Sequence, residues 1–161
     1  MIRDLSGRLS RHKVDGACGP LTGGAFTALL VAKELRTEFY YSEQVAGDTS
    51  DELLSVRYRL PTALREKVGG KRVAIVNDVT SAGSAVRGTF ADLKACHAQV
   101  IVIGSLLVLG SAINSFATGN GIAVETLAVA DQHLWEPQAC PLCQSGEPLK
   151  IPSYGPAVAA G

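Results

Sequence analysis

Residues 73–89, VAIVNDVTSAGSAVRGT, combine an apolar run, an acidic end and a turn of small residues in an order that can build an anion site. Residues 73–76 are all apolar and three are β-branched, which predicts a strand buried on both faces of a parallel sheet. Asn77 and Asp78 follow at its carboxyl end. The turn of residues 80–84 then opens a helix, whose first free N–H groups and dipole favour a bound anion.

A second turn of small residues, CGPLTGG at 18–24, also follows an expected strand and opens an expected helix. Because parallel strands end at the same edge of a sheet, the two turns should lie close together. Each has a simpler interpretation, a plain strand-to-helix connection for the first and a tight Gly-Pro turn for the second. The chain lacks the Gly-Lys-Ser/Thr ending of an ATP-binding loop and the glycine spacing of a dinucleotide site.

Cys140 and Cys143, within WEPQACPLCQSGEPL, have the spacing of half a zinc site. Structural zinc takes four ligands, so the pair needs two more from elsewhere in the fold. The candidates are Cys18, Cys96, His97 and His133. Only a coincidence of folding would bring two of these to the pair, so we predict no zinc site. Four cysteines in a chain of intracellular character indicate thiols rather than a disulfide framework.

Composition limits the class of protein. The 161 residues are one domain in size, and 15 basic and 15 acidic residues leave no net charge to attract nucleic acid. The longest uncharged apolar stretch, residues 100–109, is too short to span a membrane. Charged residues occupy the N-terminus where a signal peptide needs its apolar core. We expect a cytoplasmic protein with neither nucleic-acid nor membrane partners.

The remaining elements must position the two turns. Ile2, Leu5 and Leu9 share one helical face, and a second helix is expected after the glycine-rich turn. Strands are expected at 13–18, 38–43, 53–60, 99–109 and 122–129. Their alternation with helices predicts an α/β fold: a doubly wound, mostly parallel sheet flanked by helices, with ligands at the carboxyl ends of the strands.

The connections are less regular. Residues 44–52 are polar and unpatterned, which predicts a mobile loop, and residues 61–72 are expected to be a connection. Residues 110–121 are expected to be irregular or a short helix. Residues 1–152 would form the domain, and residues 153–161 a poorly ordered tail.

The motif at Asp78 resembles the phosphoribosyl pyrophosphate (PRPP) motif of the type I phosphoribosyltransferases, and TSAGSAVR is most similar to the orotate branch. GPLTGG is similar to the turn that binds pyrophosphate in that family. The Cys-Pro-Leu-Cys segment near the end of the chain is similar to the ending of a subgroup of orotate phosphoribosyltransferases. The resemblance covers residues 2–152. It implies the type I phosphoribosyltransferase fold without most of the N-terminal hood that holds the base.

The resemblance implies transfer of ribose 5-phosphate from PRPP to a nitrogenous base, with Mg²⁺ as cofactor, a homodimer, and a place in pyrimidine nucleotide biosynthesis. Asp78 and Asn77 would occupy the catalytic positions, with Asp78 acting on the metal indirectly. The 5′-phosphate would be bound by Thr80, Ser81, Ala82, Gly83 and Ser84. Pyrophosphate would be bound by Pro20, Leu21, Thr22 and Gly23, with Arg57 and Arg59 as the nearest cations.

Three departures from the family pattern bear on activity. Asn77 stands where the family has an acid, and residues 44–56 contain no lysine, histidine or arginine to close over pyrophosphate. Leu109 lies near the expected place of an arginine for the orotate carboxylate. Arg57 and Arg59 are equally consistent with a solvated strand face. Besides an enzyme for orotate or another base, the sequence allows a weak or inactive PRPP-binding regulatory module, or an unrelated nucleotide-binding protein.

Overall fold

The computed structural model describes residues 1–45, 57–132, 135 and 137–148. Six strands form one sheet: β1 (Gly16–Pro20), β2 (Glu38–Gln44), β3 (Tyr58–Arg59), β4 (Arg72–Thr80), β5 (Gln99–Leu109) and β6 (Ala123–Ala130). The helices are α1 (Ile2–Leu9), α2 (Gly23–Leu35), α3 (Thr62–Val68), α4 (Ser84–Ala95), α5 (Ala112–Gly119) and α6 (Pro141–Gln144).

The strand order is β3-β2-β1-β4-β5-β6, and all neighbours are parallel except the antiparallel pair β2–β3. The chain builds outward from β1 to β3 and then returns to the other side of β1. This reversal puts a crevice between the carboxyl ends of β1 and β4, where ligands bind in open α/β sheets. The predicted doubly wound, mostly parallel sheet is confirmed.

Apolar side chains on both faces of the sheet form the core. Residues 73–76 of β4 are fully buried, because helices cover both sides of this central strand. One face packs against α4 and α5 through Val86, Leu93 and Ile113. The other packs against α1 and α2 through residues that include Leu5, Leu9 and Val31, which confirms the apolar face predicted for the first helix.

Several boundaries differ from the sequence-based expectation. β4 continues to Thr80, because Val79 and Thr80 still pair with Leu107 and Val108 of β5. The expected connection at 61–72 contains helix α3, whereas the segment at 110–121 contains a short helix, α5, which is one of the two expected forms. Pro20 ends β1 instead of opening the turn.

Three expectations fall partly or wholly outside the described residues. Of the loop predicted at 44–52, only Gln44, the last residue of β2, and Val45 are described. Of the strand predicted at 53–60, the structure describes the part from residue 57 onward, where β3 pairs with Glu43 and Gln44. The predicted tail at 153–161 is also outside. Across the described ranges, none of the helices has the length and apolar character needed to cross a membrane.

Candidate functional site

The small-residue turn after β1 lies against the carboxyl end of β4. A Cβ placed on Gly23 would lie 2.0 Å from Oδ2 of Asp78, and one on Gly24 would lie 2.5 Å from Oδ1 of Asn77. Both distances are far below van der Waals contact. The first turn of α2 therefore approaches the Asn77–Asp78 pair so closely that only glycine fits at either position.

The turn after β4 is shaped by Gly83, whose φ is +81°. That conformation is strained for other residues, and a Cβ there would also lie 2.9 Å from Cδ1 of Ile113. Helix α4 begins at the next residue, and in the described structure no side chain caps its N-terminus. The first N–H groups of α4 thus remain available to an anion at this turn.

Hydrogen bonds fix the residues that enter this turn. Nδ2 of Asn77 donates to the carbonyl oxygen of Val79 at 2.8 Å and lies 3.5 Å from Oγ1 of Thr80. The Thr80 hydroxyl in turn bonds to the Ser105 hydroxyl of β5. Thr80 is only 1% exposed, so this hydroxyl pair anchors the start of the turn in the protein interior. Ser81 lies at the surface of the turn, where its hydroxyl donates to Oε1 of Gln132.

The turn after β1 is tied to the neighbouring strand. The N–H of Leu21 donates to the carbonyl oxygen of Ser42 in β2 at 2.8 Å, and the Leu21–Thr22 peptide bond is cis. Pro20 is buried, whereas Leu21 and Thr22 are exposed. The backbone between Leu21 and Gly23 is therefore the part of this turn that an incoming ligand reaches first.

Asp78 is the carboxylate at the centre of the crevice, and it is partly exposed. No cluster of three or more His, Cys, Asp or Glu side chains able to hold a metal ion occurs among the described residues. A divalent cation beside Asp78 would therefore need oxygen ligands from a bound substrate. Mg²⁺ commonly binds in this way, through one or two carboxylates together with substrate phosphates and water.

Arg59 is the last residue of β3, and Arg57 directly precedes that strand. They line a cavity of about 420 Å³ at the outer edge of the sheet, together with Val45, Tyr58, Arg65 and Asp92. Within it, Arg65 is paired with Asp92, which also accepts the N–H of Leu60 at 2.8 Å. Arg59 pairs with Glu43 of β2, the residue after Ser42, which pairs with Pro20 at the end of β1. The contact of Arg57 and Arg59 with pyrophosphate stays a prediction.

Arg87 is the site residue that the sequence analysis missed. Its N–H donates to the carbonyl oxygen of Gly83 at 2.8 Å, and its Nε lies 3.7 Å from where a Cβ on Gly83 would be. The guanidinium stacks over Phe116 at 4.9 Å from the ring centroid and donates from Nη2 to the carbonyl oxygen of Ala112 at 3.3 Å. In the sequence, the available signal was its position one helical turn after Gly83. The guanidinium puts positive charge next to the turn of residues 80–84.

Comparison with known proteins finds that this chain is similar to phosphoribosyltransferases. No protein-family model matches the chain. The orotate phosphoribosyltransferase of Thermotoga maritima is 27% identical over 149 residues, which cover 92% of this chain and 72% of that protein. The enzyme of the same name from Caldanaerobacter subterraneus is 25% identical over 150 residues, covering 93% and 72%.

Solved structures agree on the fold. Adenine phosphoribosyltransferase from Thermoanaerobacter pseudethanolicus matches with a TM-score of 0.64 at 19% identity, over 80% of this chain and 77% of that one. Orotate phosphoribosyltransferase from Aeropyrum pernix matches with a TM-score of 0.61 at 20% identity, over 80% and 69%. The chain is therefore a relative of the orotate phosphoribosyltransferases, built on the type I phosphoribosyltransferase fold.

Proposed function

We propose that this protein transfers ribose 5-phosphate from PRPP to a nitrogenous base and releases pyrophosphate. The observation that carries the proposal is the contact between the turn after β1 and the end of β4, in which the Gly23–Gly24 backbone lies directly against Asn77 and Asp78. One turn alone would be an ordinary strand-to-helix connection. Here the first turn contacts Asp78 and the second begins two residues after it, so the two turns flank one carboxylate. Such a pair can hold the two phosphate-bearing ends of one ligand with its ribose between them.

The proposed roles follow from position. Backbone N–H groups at the start of α4, with the Ser81 and Ser84 hydroxyls, would bind the 5′-phosphate, supported by the charge of Arg87. The exposed backbone of residues 21–23 would bind pyrophosphate. Asp78 would hold the ribose hydroxyls, so that its negative charge faces the positive charge that develops on the ribose as the bond to pyrophosphate breaks.

Mg²⁺ is part of the proposal, since Asp78 provides a carboxylate without a cationic side chain bonded to it in the described structure. When bound, Mg²⁺ would neutralise the phosphate oxygens and help pyrophosphate to leave. The chain's own contribution would be to orient the substrate and to hold the metal's water ligands through Asp78.

The base is the open part of the proposal. The names of the sequence relatives make orotate the first base to test, and pyrimidine nucleotide synthesis the first pathway to consider. At the end of β5, however, Leu109 presents an apolar side chain near the place expected for a cation. Burying the orotate carboxylate without a cation would cost several kcal/mol, which favours a base with no carboxylate.

A second candidate is a regulatory module that binds PRPP but transfers its ribose 5-phosphate slowly or not at all. The observation that favours it is the amide of Asn77, whose nitrogen is already bonded to Val79 inside the turn. Asn77 therefore adds no negative charge to the crevice, and Asp78 would have to stabilise the ribose alone.

Calorimetry with PRPP and Mg²⁺ tests both candidates, and pyrophosphate release over a panel of purine and pyrimidine bases separates them. We expect binding in the micromolar to millimolar range, and Asp78→Asn should reduce affinity or turnover by about 100-fold or more. Glu66→Gln, on the exposed face of α3, removes a charge far from the crevice and should change neither. Absence of PRPP binding by the wild-type protein would refute both candidates.

A further inference from the structure

The thiols of Cys140 and Cys143 form a pair that the proposed transfer chemistry does not use. They lie at the start of the short helix α6, in the sequence Cys140-Pro141-Leu142-Cys143. Cys143 is exposed and Cys140 is partly exposed, whereas Cys18 and Cys96 are buried in the core. Only this pair, of the four cysteines, is therefore open to reagents in solution.

The backbone holds the two sulfurs in a defined relation. The N–H of Cys143 donates to Sγ of Cys140 at 3.5 Å, and the N–H of Gln144 donates to the carbonyl oxygen of Cys140 at 3.1 Å. The turn is closed by the N–H of Glu147, which donates to the carbonyl oxygen of Leu142 at 3.0 Å. Gly146 makes this closure possible with a φ of +74°.

From this geometry we propose that Cys140 and Cys143 form a redox-active dithiol, which low-molecular-weight disulfides oxidise to an internal disulfide. Cys140 is the attacking sulfur, because it accepts the hydrogen bond, and Cys143 is the resolving sulfur. A single helical turn separates them, which suits formation of the short disulfide ring found in Cys-x-x-Cys sites.

The electrons and protons balance in two exchanges. The Cys140 thiolate attacks one sulfur of a disulfide such as glutathione disulfide, which forms a mixed disulfide and releases one thiolate. The sulfur of Cys143 then attacks Cys140, loses its proton and releases the second thiolate. The protein loses two electrons and two protons, and the small disulfide becomes two thiols.

The pKa directions of the two thiols agree with these roles. The pKa of Cys140 is lowered, first by the hydrogen bond from the Cys143 backbone and then by that from the Cys143 thiol. The pKa of Cys143 is raised, because its thiol donates to Cys140 and faces the charge that forms there. The thiolate is the nucleophile, so Cys140 should react faster at neutral pH.

The test treats the full chain with glutathione buffers of graded disulfide content, quenches with acid, alkylates, and maps the peptides by mass spectrometry. We expect a peptide carrying an internal Cys140–Cys143 disulfide, while Cys18 and Cys96 remain alkylatable after unfolding. Cys143→Ser should trap glutathione on Cys140 as a mixed disulfide. Cys140→Ser should abolish the internal disulfide and slow the reaction with glutathione disulfide, because the more reactive thiol is absent. Ser145→Ala, in the same turn, should behave as wild type.

Either of two results would overturn the proposal. One is equal and independent glutathionylation of both cysteines without an internal disulfide. The other is stoichiometric zinc that co-purifies with the protein and is lost in Cys143→Ser, since this would make the pair a metal ligand. These readouts do not depend on PRPP binding, so they stand or fall separately from the proposed transferase activity.

Discussion

At the scale of single residues, Asn77 decides how the crevice is held together. Its side chain is 8% exposed and lies between the two turns. The amide nitrogen bonds forward to Val79, and the amide oxygen lies against Gly24. An asparagine can donate to the Val79 carbonyl oxygen because its amide nitrogen carries two hydrogens. An aspartate carries acceptors only.

Replacing Asn77 by Asp should therefore destabilise the fold. A carboxylate oxygen would face the Val79 carbonyl oxygen, and one hydrogen bond would be lost in a buried place. We expect a loss of about 1 to 3 kcal/mol in the free energy of unfolding, measured by urea denaturation. Asn114→Asp, on the exposed side of α5, should change it by less than about 0.5 kcal/mol. Unchanged stability in Asn77→Asp would mean that the amide does not hold the turn.

At the scale of elements, two helices begin from adjacent strands near Asp78: α2 contacts its carboxylate at Gly23, and α4 begins six residues after it. The start of α2 is bound to the end of β1, since a Cβ on Gly19 would lie 2.1 Å from the carbonyl oxygen of Gly24. The start of α4 follows β4, which is fixed to β5 by the Thr80–Ser105 bond. The site is thus built on strands whose relative positions the parallel pairing sets.

The substitution Gly23→Ala tests the contact between α2 and Asp78. The added methyl would overlap Oδ2 of Asp78, so either α2 or the carboxylate must move. We expect at least a tenfold loss of PRPP affinity by calorimetry, with a cost to stability of about 1 to 3 kcal/mol. Gly7→Ala in α1 meets no atom within 4 Å and should leave affinity unchanged. Equal affinity in Gly23→Ala and the wild type would show that the turns do not share a ligand.

The elements also show what the sequence could predict. The buried strand at 73–76 and helix α4 were predictable, because an uninterrupted apolar run and a helical period are local signals. Helix α3 was not, since its sequence is short and polar and only Val68 is buried. For Arg87 the sequence offered only its position one helical turn after Gly83, because its contacts with Phe116 and Ala112 depend on where another helix lies.

At the scale of the whole molecule, the surface of α2 is unusually apolar. Phe26 is 63% exposed, and Leu29 and Leu30 are about half exposed. Beside them is an apolar cavity of about 190 Å³, lined by Leu21, Ala25, Phe26, Leu29, Phe39 and Tyr41. Exposed apolar patches of this kind are typical of interaction surfaces. We propose that a second copy of the chain covers this face, which would make the protein a homodimer.

Sedimentation velocity tests the proposed dimer. The wild-type protein should sediment as a dimer at micromolar concentration, and Phe26→Asp should shift it to monomer by placing a charge in the interface. Lys67→Glu, on the exposed face of α3, should remain dimeric. A monomeric wild-type protein, or a dimer unaffected by Phe26→Asp, would contradict the assignment of this face.

The pairing of β1 with β4 joins parts of the chain that are far apart in sequence. Residues 16–18 align with residues 73–75, and the strands β2 and β3 are both formed from the chain between them. Closing so long a loop is slow compared with forming a helix, so the crevice should be completed late in folding. A ligand that bridges the two turns would then bind only the finished sheet. Binding of this ligand to the folded protein would raise the midpoint of thermal unfolding by mass action. The melting temperature would therefore report occupancy of the crevice directly.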